Sequence, residues 1–396
     1  MIRRDSYLPF GKPDFGDAEV EAVVRVVRSG WVGMGPETIV FEEELAAACD
    51  APAVVTVSSC TSALFLSLLA LGIGPGDEVV VPSLTWISTV SVIRHLGATP
   101  VFCDVAPDSF CATSGTVRPA LSPRTKAVIV VHLGGYAVDV AEIRRGTPAH
   151  IAIVEDAAHA FGARFEDGTA VGASGNLTCF SFYANKNLST GEGGAIALAD
   201  DRVAERLRSL RQHGLPQDAW KRFVDPRRLE APKVTELGYK MNYTDLQAAL
   251  GRAQLRRQPE GHARRLAIAG LYTDGLARMP WSIDVQRGVM ESRHARHLYL
   301  IRLPVAEIGR SRHDVLAALR DRNIGASLHY QPVHTMPLFA GHKPGSLPVT
   351  ELIAATILTL PISASMSLDD AQTVLAALVE VLASRAMRQA LAKGRS

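Results

Sequence analysis

Paired cysteines are the plainest thing this 396-residue sequence lacks. Its five cysteines (Cys49, Cys60, Cys103, Cys111 and Cys179) are odd in number, scattered, and form no C-x-x-C. That usage argues against a disulfide framework and against a cysteine zinc site, and no metal is expected. It fits reduced thiols in a cytoplasm. An excess of charge is also missing. Forty-two basic and forty acidic side chains nearly cancel, and no long basic stripe stands out, which argues against nucleic acid as a main partner. Behind Met1-Ile2-Arg3-Arg4-Asp5-Ser6 there is no apolar core of a signal peptide. The uncharged stretch 51–75 is long enough to span a bilayer. It is broken by Ser58-Ser59-Cys60-Thr61-Ser62 and ends in Pro75-Gly76-Asp77, so it reads as strand, turn and buried helix, with no membrane partner implied. Repeats and low-complexity segments are absent.

What is present is an apolar, globular composition in a chain longer than one domain usually needs, so two domains are expected. Short runs rich in β-branched residues recur at 54–57, 78–81, 99–102, 127–131, 151–154, 178–182 and 195–198. Continuous apolar runs bounded by Gly, Pro or Asp suit strands buried on both faces of a mainly parallel sheet. Helical patterns at 61–71 and 88–96 lie between them, which predicts an α/β layered domain. An amphipathic helix follows at 201–213, ending at Gly214. The polar segment 215–239, with Trp220, Lys221 and Arg222, is too long for an ordinary connection and reads as a functional or interface loop. Thr244 with Gln247 three residues on opens a further helix running past Arg257. The domain change is placed at Pro259, giving a large α/β domain over 1–258 and a smaller α+β domain over 259–396. The latter has a strand at 298–303 and helices at 311–322 and 369–391.

Two motifs carry the chemistry. Glu155-Asp156-Ala157-Ala158-His159 puts a carboxylate at the end of one apolar strand. Ser181-Phe182-Tyr183-Ala184-Asn185-Lys186-Asn187 puts an amine just past another. An acid and an amine at neighbouring strand ends suit pyridoxal 5'-phosphate (PLP): the lysine can hold the aldehyde as a Schiff base while the carboxylate partners the pyridinium nitrogen. Asp156 also reads as a helix cap or surface acid, and Lys186 as a solvated charge. The nearby Gly191-Glu192-Gly193-Gly194 favours a cramped pocket. The run Ser58-Ser59-Cys60-Thr61-Ser62-Ala63 joins a strand to a helix and so makes an anion site, or simply an N-cap. Trp86, after the 78–81 strand, suits either stacking on a flat ring or core packing. His159 is a ring contact or a structural histidine.

With these residues in view, the chain resembles the DegT/StrS family of sugar-nucleotide aminotransferases, PLP enzymes of the aspartate aminotransferase fold (fold type I), over nearly its whole length. Further shared motifs are Ser29-Gly30-Trp31, Gly76-Asp77-Glu78-Val79, His132-Leu133-Gly134-Gly135, Arg211-Gln212-His213-Gly214 and Gly238-Tyr239-Lys240-Met241-Asn242-Tyr243. Pro82-Ser83-Leu84-Thr85-Trp86, Asp156-Ala157-Ala158-His159, Leu328-His329-Tyr330 and His334 are most similar to the UDP-4-amino-4-deoxy-L-arabinose–oxoglutarate aminotransferase branch. Two departures from many relatives are Cys60 in place of Gly and His159 in place of Gln. The stretch Tyr183-Ala184-Asn185 departs from the arabinose enzymes. The resemblance implies that Thr61, Ser62 and Ser181 hold the cofactor phosphate, with Cys60 among the cofactor-binding residues, and that Asn242 reaches the phosphate of a partner subunit in a homodimer with shared sites. It also implies that Trp86 stacks on the ring, that Asp156 pairs with its nitrogen beside His159, that Lys186 is the Schiff-base lysine, and that His329 and Tyr330 lie near substrate. The implied reaction moves an amino group from L-glutamate to a keto group, at C4, of a nucleotide-linked sugar and releases 2-oxoglutarate. Amination at C3 and a PLP-binding regulator without turnover are the alternatives. A PLP sugar 3-dehydratase carries histidine at the lysine position, and Lys186 argues against it.

Overall fold

The computed structural model describes residues 2–215, 234–339 and 346–383. Most of the expected loop 215–239, including Trp220, Lys221 and Arg222, therefore lies outside the described residues, as does the 384–391 end of the last expected helix.

All seven β-branched runs of the first half are strands of one sheet: β1 (Ala53–Val57), β2 (Glu78–Pro82), β3 (Thr99–Cys103), β4 (Thr125–Val131), β5 (Ala152–Asp156), β6 (Leu177–Ser181) and β7 (Gly194–Leu198). Their order is β1-β7-β6-β5-β4-β2-β3, and only β7 runs antiparallel to its neighbours. Alternate side chains feed opposite layers: Val79, Val81, Ala127 and Ile129 join one apolar cluster, while Val80, Val128 and Val130 join another. Burial on both faces is why these strands read as continuous apolar runs instead of alternating ones. Each fully buried valine stabilises the fold by about 1.5–3 kcal/mol. Helix Cys60–Ala70 lies against the sheet, with Ala63, Leu64, Leu66 and Leu68 sealed. Among the described residues, no helix is long and apolar enough to cross a membrane.

A second core gathers around a three-stranded antiparallel sheet of β8 (Asp284–Val285), β9 (Tyr299–Arg302) and β10 (Ile357–Leu360), with helices Arg312–Arg320 and Leu368–Leu382. The boundary expected at Pro259 falls inside a single helix, Asp245–Ala277. Near its start Ala248 packs on the large-sheet side and Ala249 on Ala22 and Val26 of helix Asp17–Ser29, whereas Ile268, Ala269, Tyr272 and Leu276 near its end belong to the second core. At the first turn, buried Asp245 accepts hydrogen bonds from Gly35 N, Thr38 N and Thr38 Oγ1, capping helix Pro36–Ala48. The chain start also belongs with the second core: Leu8 packs into it, its N–H donates to Asn323 O and its carbonyl accepts from Gly325 N.

Candidate active site

In a sheet of this kind the parallel strands deliver their carboxyl ends to one edge, where side chains escape the core and a crevice opens. Asp156 ends β5, Ser181 ends β6, and the turn 58–59 follows β1. Because β7 is reversed, its first residue, Gly194, lies at the same edge, opposite both Val57 and Ser181. A cavity of about 540 Å³ sits there. Sheet-edge residues Ser59, Cys60, Thr61, Trp86, Asp156, His159, Ser181 and Lys186 line it, and His329, Tyr330 and Phe10 close it from the second core and the chain start. Nine of the eleven site residues expected from the sequence thus meet in one place. Ser62 and Asn242 do not reach this wall. The Ser62 hydroxyl is engaged with Ser58 Oγ and Ser59 Oγ at 3.0 Å each, and Asn242 Nδ2 donates to Tyr243 O.

Asp156 is 6% exposed, and its two oxygens are held apart. Thr89 Oγ1 donates to Oδ2 at 2.7 Å and Ala158 N to Oδ1 at 3.1 Å. Among the described residues no cationic side chain pairs with it. Burial raises its pKa, against the lowering effect of the Thr89 bond. A buried carboxylate in that state is electrostatically incomplete and favours a cation opposite it. Lys186 shows the converse: burial lowers its pKa to about 8, with Cys60 and Asp156 pulling the other way. Its amine is therefore available as a free base near neutral pH. The Cys60 thiol is pushed well above its usual range by burial, so it lines the cavity as an uncharged group and not as a thiolate.

His159 is held by the Gly134-Gly135 turn. Gly134 N donates to its Nδ1 at 3.2 Å, which leaves the proton on Nε2 to donate to Tyr330 Oη at 3.2 Å. Gly135 has φ +107°, and a Cβ there would meet His159 O at 2.9 Å, so the turn has no room for a side chain. Burial, and next Lys186, hold His159 well below its ordinary pKa. Beneath the site, His132 accepts Val138 N at Nδ1 and donates from Nε2 to buried Glu155 at 2.9 Å. His329 Nδ1 meets Thr359 Oγ1 of β10 at 2.7 Å, and its ring lies 5.3 Å from Phe10. Trp86 caps no core. It is 59% exposed at the mouth, 5.8 Å from the Tyr330 ring.

Two residues escaped the sequence reading. Thr89, inside helix Ile87–His95, fixes Asp156 from 67 residues away. His297 lies 3.4 Å from Lys186 Nζ and 4.6 Å, centroid to centroid, from His159. Its only sequence signal is its place just before β9 in Arg293-His294-Ala295-Arg296-His297.

The donor set fits PLP. An unpaired buried carboxylate suits a pyridinium, a buried free amine suits an aldehyde, and the exposed indole suits a flat ring. For a phosphate there are the first N–H groups of helix Cys60–Ala70, which have no acceptor within the helix, with the hydroxyls of Thr61 and Ser181.

Comparison with known proteins agrees. A model described as the DegT/DnrJ/EryC1/StrS aminotransferase family matches residues 13–379. Among solved structures, the chain is similar to the aminotransferase TlmJ from Streptoalloteichus hindustanus, with 36% identity and TM-score 0.86 over 95% of this chain and 99% of that one. DesV of S. venezuelae, in complex with a ketimine intermediate, matches with 36% identity and TM-score 0.83 over 92% and 94% of the two chains. Spr1654 from Streptococcus pneumoniae, in its PMP form, matches with 30% identity and TM-score 0.87 over 95% and 99%.

Proposed function

From the premise that this chain belongs to the DegT/DnrJ/EryC1/StrS aminotransferase family, and so is a PLP-dependent aminotransferase of sugars, we propose that it transfers nitrogen from L-glutamate to C4 of a nucleotide-linked 4-keto sugar. The observation that carries the reading is the buried Lys186 amine sharing one cavity with the buried, cation-lacking Asp156 carboxylate. The C4 position and the nucleotide follow from the arabinose-branch motifs around Trp86, His159 and His329.

Bound PLP supplies an electrophilic aldehyde carbon and a cationic ring that withdraws electrons from the adjoining carbon. The protein's own part is as follows. Lys186 Nζ holds the cofactor and, once displaced by the donor amine, stands free to take the Cα proton and return it. Asp156, braced by Thr89 and Ala158, keeps a proton on the ring nitrogen across from it. Thr61, Ser181 and the Cys60 N–H receive the phosphate, and Ser62 orients the hydroxyls of Ser58 and Ser59 around it. Trp86 would stack on the cofactor ring, with His159 and Tyr330 in the same cavity wall. His329 and Tyr330 meet the sugar. Asn242 completes the phosphate site of a partner subunit, which makes the working unit a homodimer.

L-Glutamate should bleach the visible absorbance of the cofactor-loaded enzyme with stoichiometric release of 2-oxoglutarate. Addition of a nucleotide-linked 4-keto sugar should then restore that absorbance, with nitrogen found at C4 by NMR of the product. Lys186→Ala should lose both the absorbance and turnover. A variant that kept normal turnover would remove Lys186 from the mechanism, and restoration of the absorbance by a 3-keto but not a 4-keto sugar nucleotide would overturn the C4 assignment.

A further inference from the structure

His297, two residues before β9, lies within hydrogen-bonding reach of the Lys186 amine. The residue is 4% exposed. Its Nε2 faces Lys186 Nζ at 3.4 Å, and its Nδ1 is buried with no hydrogen-bond partner among the described residues. That asymmetry decides where the imidazole proton sits. A proton on Nδ1 would be a buried donor with nothing to receive it, whereas a bare lone pair there is the less costly vacancy. The proton therefore belongs on Nε2, aimed at Nζ, and only an unprotonated amine has a lone pair to accept it. A protonated lysine would donate to Nε2 and force the proton onto the orphaned Nδ1.

We propose that His297 is a positioning residue for Lys186, whose Nε2–H donates to the Nζ lone pair and so selects and orients the ε-amine as a free base. Other groups face the pair from every side. The Asp156 carboxylate at the end of β5 favours the ammonium, the Cys60 thiol at the start of helix Cys60–Ala70 is uncharged, and His159, His329 and buried Arg265 bear on the histidine cluster from neighbouring elements. Arg265 itself touches only the carbonyls of Arg296 and Ile362 among the described residues, so its charge presses on His297 without a counter-ion and opposes an imidazolium. The His159 ring, tilted by 36° with its centroid 4.6 Å away, packs against the imidazole, and its own proton is already committed to Tyr330. The consequence for catalysis rests on the PLP reading above, but the arrangement itself does not.

The test uses the full chain freed of cofactor. The rate of Lys186 acylation by acetic anhydride, followed by peptide mass spectrometry against pH, gives the titration midpoint of that one amine. In His297→Asn the amide oxygen accepts from an ammonium, so the midpoint should rise by about one unit or more, a roughly tenfold loss of reactivity at neutral pH. The rate at high pH, where every lysine is unprotonated, should stay as in the parent. An unchanged midpoint, or a loss confined to the high-pH limit, would reduce His297 to packing. Should that variant not fold, ¹⁵N NMR of the histidine-labelled parent reads the tautomer directly. Protonated Nε2 is expected, and protonated Nδ1 overturns the proposal. Neither readout involves cofactor, so a failure of the PLP reading would show separately as absent cofactor absorbance.

Discussion

Lys186 and Asp156 were legible because a charge that ends an apolar strand is conspicuous: water is the ordinary home of both groups, and here the run before each is buried. Their titration makes the pairing testable. The folded chain holds the Lys186 amine near pKa 8, below the ordinary 10.5, chiefly through burial. Only the free base attacks an aldehyde, so PLP capture by the cofactor-free chain should quicken about tenfold per pH unit up to about 8 and level off above it, as stopped-flow absorbance would show. A rise continuing to pH 10 would mean an ordinary, solvated lysine. His297 and Thr89 were not legible, for a different reason. A lone histidine before a strand and a threonine within a helix look the same whether or not they support a site. Only the folding of residues 111 and 67 positions away gives them their partners.

Among elements, the strands showed themselves through composition, since burial on both faces selects β-branched residues throughout. Their neighbours did not. Nothing in Gly194-Ala195-Ile196-Ala197-Leu198 marks β7 as the one reversed strand, because direction is set by where the chain returns after the Lys186 turn. The domain change expected at Pro259 falls inside a helix that runs through that residue, although proline forgoes a helical N–H. The glycine opening β7 has a reason visible only in three dimensions: a Cβ on Gly194 would lie 2.5 Å from Ser59 C and 2.6 Å from Cys60 N. Gly194→Ala must push the 58–60 turn away from the sheet edge. Overpacking of this kind costs about 1–3 kcal/mol. The expected result is a lower urea midpoint together with weaker PLP binding in equilibrium titration. Unchanged affinity would show that this turn does not hold the phosphate.

For the molecule as a whole, the buried histidines set how it tolerates acid. Burial holds His294 and His329 near pKa 3, below the ordinary 6.5, and His159 and His297 also lie well below it. The unfolded chain therefore binds more protons than the folded one from about 6.5 downward, and stability must fall as pH drops through that window. Each such group steepens the fall by up to about 1.4 kcal/mol per pH unit. Glu155, held below its ordinary pKa with burial opposed by hydrogen bonds from His132, Ser174 and Asn176, adds to the loss at lower pH. Asp156, whose pKa is raised, works the other way, one group against several. Urea midpoints should decline steadily between about pH 7 and pH 5, and a flat profile would contradict the buried, neutral histidines.

Helix Asp245–Ala277 has a consequence for how such a chain is taken apart or recombined. A fragment ending at residue 258 would carry off half of one rod, and it would strip residues 2–10 of the surface beside Asn323 and Gly325 that they lie on. Neither piece would inherit a finished core. Grafting experiments between relatives should exchange surface loops around this shared spine and leave the spine, with the amino-terminal residues that pair with Asn323 and Gly325, in one piece.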